Sequence, residues 1–153
     1  MLTITPFLWF ETQAEDAMLF YTSIFPRSKR GPVKRAGDQV FSVEFEIEGQ
    51  QVYGMNGRPP QFKFDESVSF FIGCESQQDI DTLWTKLTAD GGKPGRCGWL
   101  VDKFGLSWQV IPNELSALLS GGGDPARAKR VLDAMLSMSK LDVTTLKRAY
   151  DAA

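Results

Sequence analysis

One order of predicted secondary structure occurs twice along this chain, and that repetition limits the folds open to it. A strand, a helix with one apolar stripe and a hairpin are predicted at residues 4–10, 14–25 and 41–55. The same elements recur at residues 68–74, 80–87 and 97–111. A chain of 153 residues suits one domain made of two such halves. We expect a single domain over residues 1–153, with module one at 1–57, module two at 66–112 and C-terminal helices at 113–153.

Helix-start signals support this division. Thr12 with Glu15, and Ser76 with Asp79, match the capping-box pattern at the start of the two module helices. Residues 124–125, Asp-Pro, are a favourable N-cap and first helical residue for the C-terminal extension. We expect these C-terminal helices to pack on the sheet or on a second subunit.

Composition excludes several functional classes. A net charge of −2 and 24% charged residues describe an ordinary surface without the basic field that attracts nucleic acid. The first ten residues lack a signal-peptide pattern, and no apolar stretch is long enough to span a bilayer. We therefore expect a cytoplasmic protein that binds neither nucleic acid nor membranes. Its two cysteines, Cys74 and Cys97, are expected to be reduced.

Two hairpins set the strand register. We place Gly49 and Gln50 in the first turn and expect Glu44 to oppose Tyr53 and Glu46 to oppose Gln51, so that these four side chains share a face.

In the second hairpin, Asp102 and Gly105 occupy the first and fourth positions of a type I turn. Matching Gly49 to Gly105 also matches Tyr53 to Gln109. Within this hairpin we expect Gln109 to oppose Gly98 and Trp99 to pair with Trp108 against the module helix, which leaves Gln109 on the opposite face.

Four short segments carry a family resemblance. They are Ile4-Thr-Pro-Phe-Leu-Trp-Phe, Ala14-Glu-Asp-Ala-Met-Leu-Phe-Tyr, Phe62-Lys-Phe and Cys97-Gly-Trp-Leu-Val-Asp-Lys-Phe-Gly-Leu-Ser-Trp-Gln. Together they resemble the PhnB-like branch of the vicinal oxygen chelate superfamily, whose members often carry a demethylubiquinone methyltransferase label. The resemblance implies an α+β fold of two βαβββ modules, the glyoxalase/bleomycin-resistance fold, here with a C-terminal helical extension, and it implies a homodimer.

The resemblance also implies where a metal would be bound, on the first and last strands of each module. Shifting the first half by about 63 places, as from Ala17 to Ile80, sets Pro6 on Ser69. Together with Tyr53 and Gln109, the set contains no strong ligand, and the chain has no histidine. We expect no tightly held metal and no cofactor. S-adenosylmethionine-dependent methyl transfer is disfavoured, because no Gly-rich loop joins a strand to a helix and residues 121–123 follow no predicted strand.

The candidate site is an apolar cup with a few polar groups. Its predicted ligand-binding residues on the strands are Leu8, Glu46, Tyr53, Ser69, Phe71 and Gln109. Glu44 is the candidate general base, since a carboxylate in an apolar cavity can have its pKa raised. The alternative is that Glu44, Glu46 and Glu48 form a solvated stripe. Arg58 and Phe64, in the linker between modules, are further candidates that could contact an anionic ligand.

Two functions follow from this reasoning. The first is a metal-independent protein that binds or sequesters a small molecule. The alternative is an enzyme on the same scaffold, either isomerase-like or lyase-like with Glu44 as base, or dependent on a divalent metal. A purely structural role is third. The fold does not choose among them, because it hosts unrelated activities.

Overall fold

The computed structural model describes residues 1–57, 59 and 63–153. The chain divides into two compact units, Met1–Lys63 and Phe64–Ala153, and each contains one of the predicted modules. That the whole chain forms one domain stays a prediction.

Module one is a four-stranded sheet with one helix. Its strand order is β1-β4-β3-β2, with β1 parallel to β4 and the other neighbours antiparallel. The elements are β1 Phe7–Phe10, α1 Ala14–Ile24, β2 Ser28–Ala36, β3 Gln39–Ile47 and β4 Gln50–Asn56. The hydrophobic pattern does not predict β2, because its residues are mostly exposed and the strand is irregular at Gly31 and Pro32.

Module two repeats this topology. Its strand order is β5-β8-β7-β6, again with the first and last strands parallel. The elements are β5 Ser69–Cys74, α2 Gln77–Leu87, β6 Lys93–Pro94, β7 Trp99–Val101 and β8 Ser107–Pro112. The predicted duplication and the α+β fold class are therefore confirmed.

Three further helices follow module two. They are α3 Leu115–Leu119, α4 Pro125–Leu136 and α5 Val143–Asp151. Asp124 caps α4 by accepting a hydrogen bond from Ala126 N, as the Asp-Pro pair predicts. Their core is a cluster of buried side chains with the end of β8, namely Ile111, Leu115, Val131, Leu141 and Leu146. Within the residues that the structure covers, no helix has both the length and the apolarity needed to cross a membrane.

Each module buries the sheet face that packs on its helix. In module one, Leu8, Val43 and Phe45 lie on this face, against a helix whose Ala17 and Tyr21 are fully buried. In module two, Leu100 and Trp108 are buried on the corresponding face, and the ring of Phe70 meets Trp108 edge-on. The sheet face turned away from the helix is called the open face below.

The first strands of the two modules align one residue differently from the prediction. The helices do correspond at 63 places, since Ala14–Ile24 matches Gln77–Leu87. The strands correspond at 64, because Phe10 O accepts from Gly57 N as Cys74 O accepts from Asn113 N.

The difference comes from the strand-helix connection, which has three residues in module one and two in module two. Thr5, not Pro6, therefore corresponds to Ser69. Leu8 lies on the helix side, which makes its predicted place on the cup wrong.

The strand pairing of the second hairpin also differs from the prediction by one residue. In module one, Glu48 and Gly49 form a two-residue turn with φ of 48° and 85°. The predicted turn at residues 49–50 is wrong by one residue, because Gln50 already belongs to β4. In module two the turn has one more residue, because Asp102 N donates to Leu106 O and Gly105 N donates to Asp102 O.

This extra residue moves the partner of Gln109. Trp99 opposes Gln109, and Leu100 opposes Trp108. The predicted pairing of Trp99 with Trp108 is therefore wrong, and Trp99 lies on the open face.

Only one of the two predicted capping boxes forms. Ser76 and Asp79 exchange both expected hydrogen bonds at the start of α2. Thr12 and Glu15 do not, since the N-cap of α1 is Gln13 and its side chain makes no capping bond. Instead Asn56 Oδ1, at the end of β4, accepts from Ala14 N at 2.8 Å. A tertiary contact has replaced the local cap.

Candidate functional site

The predicted polar groups of module one lie on its open face. Glu44 is directly opposite Tyr53, and Glu46 is opposite Gln51, which confirms the predicted register. Strand alternation turns these side chains away from α1, because Val43, Phe45 and Ile47 between them are buried.

Aromatic rings surround these carboxylates. Phe7 is 57% exposed and Tyr53 38% exposed, and their rings meet edge-on with centroids 6.5 Å apart. Trp9 lies on the same face and packs over Gly57, where a Cβ would come within 2.7 Å of the indole Nε1. The predicted site has Leu8 on this face, whereas the observed register places Phe7 and Trp9 there, so module one presents more aromatic surface than predicted.

The two glutamates differ in their partners. Lys29 Nζ lies 3.5 Å from Glu46 Oε1 in an exposed ion pair. Glu44 is half-buried, and its carboxylate has no ion-pair or hydrogen-bond partner in the part of the chain that the structure describes. Among the described residues, Glu44 is thus the carboxylate on this face that has no partner.

Module two brings together three of its predicted residues. Ser69, Phe71 and Gln109 lie on its open face, and Gln109 Nε2 donates to Ser69 Oγ at 3.0 Å. Two residues that the prediction did not select share this face. Trp99 is paired with Gln109, and Ser107 is paired with Ser69.

Asp102 organises the turn that leads into β8. Its side chain is buried, and Oδ1 accepts from the backbone N–H of Phe104 and Leu106. Oδ2 accepts from Trp108 Nε1 at 2.8 Å. The aspartate therefore has a larger role than the turn signal indicated, because it ties the loop to the core tryptophan.

One of the two linker candidates falls within the residues that the structure describes. Arg58 lies outside the residues that the structure describes. Phe64 is half-buried and lies against the turn glycine Gly105.

A separate surface cleft of about 310 Å³ is present in module one at the N-terminus of α1. Its Glu15 is already paired with Arg35 at 3.0 Å. The cleft is lined by Glu11, Thr12, Glu15, Asp16, Gln39, Val40 and Asn56, none of which was predicted as a site residue.

The donor set does not fit a metal site. Over residues 1–57, 59 and 63–153, no three His, Cys, Asp or Glu side chains lie close enough to hold an ion. At the positions where the resemblance implies ligands, module two offers Ser69 and Gln109, already hydrogen-bonded to each other. Hydroxyl and neutral amide groups are weak ligands without stronger ones beside them.

Comparison with known proteins identifies the family. The 3-demethylubiquinone-9 3-methyltransferase family matches residues 2–111. The chain belongs to this family. It is similar to a solved structure from Bacillus cereus described as a putative 3-demethylubiquinone-9 3-methyltransferase, PhnB protein. That similarity has 32% identity and a TM-score of 0.68 over 72% of this chain and 99% of that one.

More distant structures share the fold alone. Protein PA1353 from Pseudomonas aeruginosa is 16% identical with a TM-score of 0.59, over 73% of this chain and 98% of that chain. The fosfomycin resistance protein FosX from Listeria monocytogenes, solved with Mn(II) and sulfate, is 16% identical with a TM-score of 0.50, over 71% and 90%. No curated protein matches the chain. The family match and the Bacillus cereus structure place the chain with PhnB-like proteins of the vicinal oxygen chelate superfamily.

Neither strand-to-helix connection of the modules is the glycine-rich loop that would support the methyltransferase name of the family. The connections from β1 to α1 and from β5 to α2 contain no glycine. Residues 121–123 form a short 3-10 turn between α3 and α4, so they follow a helix and not a strand.

Proposed function

We propose that this protein binds a small organic molecule through the open faces of its modules, without a metal ion. The observation that carries the proposal is the exposure of aromatic rings beside polar groups on these faces. Soluble proteins seldom leave such rings exposed together unless they contact something else. Apolar walls with a few polar groups are the usual composition of a small-molecule site.

Module one favours a ligand with a positive or proton-donating group. Glu44 and Glu46 lie among Phe7, Trp9 and Tyr53, and a cation is attracted both by carboxylates and by aromatic faces. Glu44 is the better partner, because Lys29 already contacts Glu46.

A matched pair of phenylalanines tests the proposal. Phe7 is 57% exposed on the open face, and Phe41 is 53% exposed on the opposite face of the same sheet. We expect a hit from a metabolite and antibiotic panel, measured by calorimetry, to lose about tenfold in affinity in Phe7→Ala. The Phe41→Ala variant should bind as the wild type does. Saturable binding that is equally sensitive to both variants, or no binding across the panel, would contradict the proposal.

The proposal that binding needs no metal ion has its own test. Protein purified without chelator should contain no stoichiometric metal by elemental analysis, and binding should survive treatment with EDTA. S-adenosylmethionine belongs in the panel, since saturable binding of that cofactor would instead support the activity in the family's name.

An enzyme is the second candidate, with Glu44 as general base. It is favoured by the position of the half-buried Glu44 carboxylate opposite Tyr53, with no partner in the described part of the chain. If a ligand is isomerised or cleaved, Glu44→Gln should abolish turnover while binding persists, and Glu46→Gln should retain turnover.

The cellular location and oligomeric state are also proposals. We propose that the protein is a cytoplasmic homodimer. Size-exclusion chromatography with light scattering would test the oligomeric state directly.

A further inference from the structure

Glutamates alternate along the end of β3 and into the turn after it, and two of them form ion pairs with the neighbouring edge of the sheet. Glu48 Oε2 lies 2.7 Å from Arg27 Nε, and Glu48 Oε1 also accepts a hydrogen bond from Arg27 N. Glu46 is opposite Lys29 on β2, and Lys29 Nζ lies 3.5 Å from Glu46 Oε1. Opposite charges on paired strands attract each other in this way. At both positions the chain at β2 therefore supplies a cation to the glutamate.

The series of ion pairs stops at Glu44, the third glutamate. The regular pairing of β2 with β3 is broken here by a bulge, in which two residues, Gly31 and Pro32, lie opposite Glu44. A Cβ on Gly31 would come within 2.6 Å of the Glu44 carbonyl oxygen, so a larger residue would require the backbone to shift. Neither residue of the bulge carries a charge. Where Glu46 and Glu48 each have a cation on this side, Glu44 has a glycine and a proline.

The other neighbours of Glu44 leave its carboxylate without a partner in the described part of the chain. Lys34 is on the same face but lies opposite Ser42, one row away, and it makes no ion pair with Glu44. On the other side Tyr53 is directly opposite Glu44, and the ring of Phe7 meets the Tyr53 ring edge-on. Aromatic rings attract organic cations, and a carboxylate beside them adds to that attraction.

We infer that the bulge of Gly31 and Pro32 keeps Glu44 free for the ammonium group of an organic ligand, and that Gly31 determines this specificity. The ammonium group takes the part that an arginine and a lysine take at the other two glutamates. The apolar body of the ligand lies against the exposed rings of the same face. This inference rests on the proposed function and deepens it by naming the ligand class and giving Gly31 a role.

Probes that share one ring test the ligand class. Benzylamine, which is protonated at neutral pH, benzyl alcohol and benzoate carry a positive, a neutral and a negative group. Each is titrated into ¹⁵N-labelled protein, and the Trp9 indole signal is followed, with its assignment from Trp9→Phe. We expect benzylamine to shift this signal saturably, with an affinity at least about tenfold higher than that of the other two probes.

Glutamine substitutions separate the three glutamates. Glu44→Gln should weaken benzylamine binding at least about tenfold, because it removes a hydrogen bond to a charged group. Glu46→Gln should weaken binding less than about threefold, because Lys29 already contacts that carboxylate. Glu48→Gln, in the turn, should leave the affinity unchanged.

A matched pair of variants tests the role of Gly31. Gly31→Ala adds only a Cβ, whereas Gly31→Lys adds the same Cβ and an ammonium group that competes for Glu44. We expect the lysine variant to bind benzylamine about fivefold more weakly than the alanine variant. Because a Cβ at this position can distort β2, Pro32→Lys is compared with Pro32→Gln at an exposed residue of the same bulge, with the same result expected.

Several outcomes would overturn the inference. They are equal or tighter binding of benzyl alcohol or benzoate, unchanged benzylamine affinity in Glu44→Gln, or lysine variants at both positions of the bulge that bind benzylamine as well as their controls do. Benzylamine shifts confined to module two would overturn the inference while leaving the proposed function in place. No saturable shift from any probe or panel compound would overturn both.

Discussion

The two modules share one backbone topology but solve the same packing problems with different side chains. Trp9 on the first strand packs over Gly57 in module one. In module two the glycine is on the first strand instead. Gly73 takes the place of Trp9, Asn113 takes the place of Gly57, and the Asn113 side chain lies over Gly73.

Their open faces also differ in charge. Module one presents Glu44 and Glu46, whereas the centre of the module-two face presents neutral Ser69 and Gln109, with Lys93 on the edge strand β6. This duplicated scaffold therefore specifies strand order by its backbone pattern, while each open face is free to acquire its own chemistry.

The hairpin turns give the largest expected difference between the modules. Asp102→Ala removes the acceptor of three hydrogen bonds, two of them from Leu106 N and Trp108 Nε1 in the core. We expect a loss of about 4 kcal/mol in the free energy of unfolding by urea denaturation. Glu48→Ala in the module-one turn removes an exposed ion pair with Arg27 and should cost less than about 1 kcal/mol. Equal costs would show that the two turns are stabilised alike.

The C-terminal helices give the next difference, since they pack on module two. Leu141 is fully buried in their cluster with Ile111, and Leu141→Ala should cost about 3 kcal/mol of unfolding free energy. Leu132→Ala, at a position 41% exposed on α4, should change it by less than about 0.5 kcal/mol. If module-two amides exchange hydrogen no faster in Leu141→Ala than in the wild type, the extension does not stabilise that module.

Two glycine contacts, Gly57 with Trp9 and Gly73 with Asn113, give a smaller difference between the modules. Gly57→Ala would place its methyl against the Trp9 ring, and we expect a cost of about 1–2 kcal/mol with a shifted Trp9 indole signal. Gly73→Ala meets only the end of the Asn113 side chain, which can rotate, so it should cost less than about 0.5 kcal/mol. The reverse order would mean that Trp9 is the more adaptable of the two groups.

The last expected difference concerns alkaline pH. Burial, with a smaller contribution from Asp79, raises the pKa of the Cys74 thiol to about 11 from its ordinary 9.0. The folded state therefore favours the neutral thiol, so this contribution is present below pH 9 and is lost as the pH rises from 9 toward 11. The corresponding residue of module one, Phe10, does not titrate.

The measurement is the stability difference between the wild type and Cys74→Ala. It should shrink over that pH range, and a constant difference would contradict the assignment.

Most of the fold could be predicted because hydrophobic periodicity is local. The strands of both hairpins, the helices and the Ser76 capping box depend on residues near one another in sequence. Strand β2 could not be found this way, since its side chains are mostly exposed and alternate poorly.

The faces of the site residues were predicted correctly only on strands whose pairing register was predicted correctly. Glu44 and Tyr53 face each other as expected, because the pairing inferred for their hairpin is the observed one. Leu8 and Trp99 were assigned to the wrong faces, each by a one-residue difference in loop length between the modules. A single-residue shift reverses every side chain of a strand, so a loop-length error becomes a site error.

By itself the sequence determined the repeated order of strands and helices, the family and the absence of histidine. Only the tertiary structure decided which rings face away from the helices, that Asn56 caps α1, and that Ser107 is buried with its hydroxyl unsatisfied in the described chain. The physical reason is the separation along the sequence over which each effect acts. Periodicity and propensity act over a few residues, whereas the pairing of strands, and the burial that follows from it, joins residues about forty places apart, as in Ser69 and Gln109.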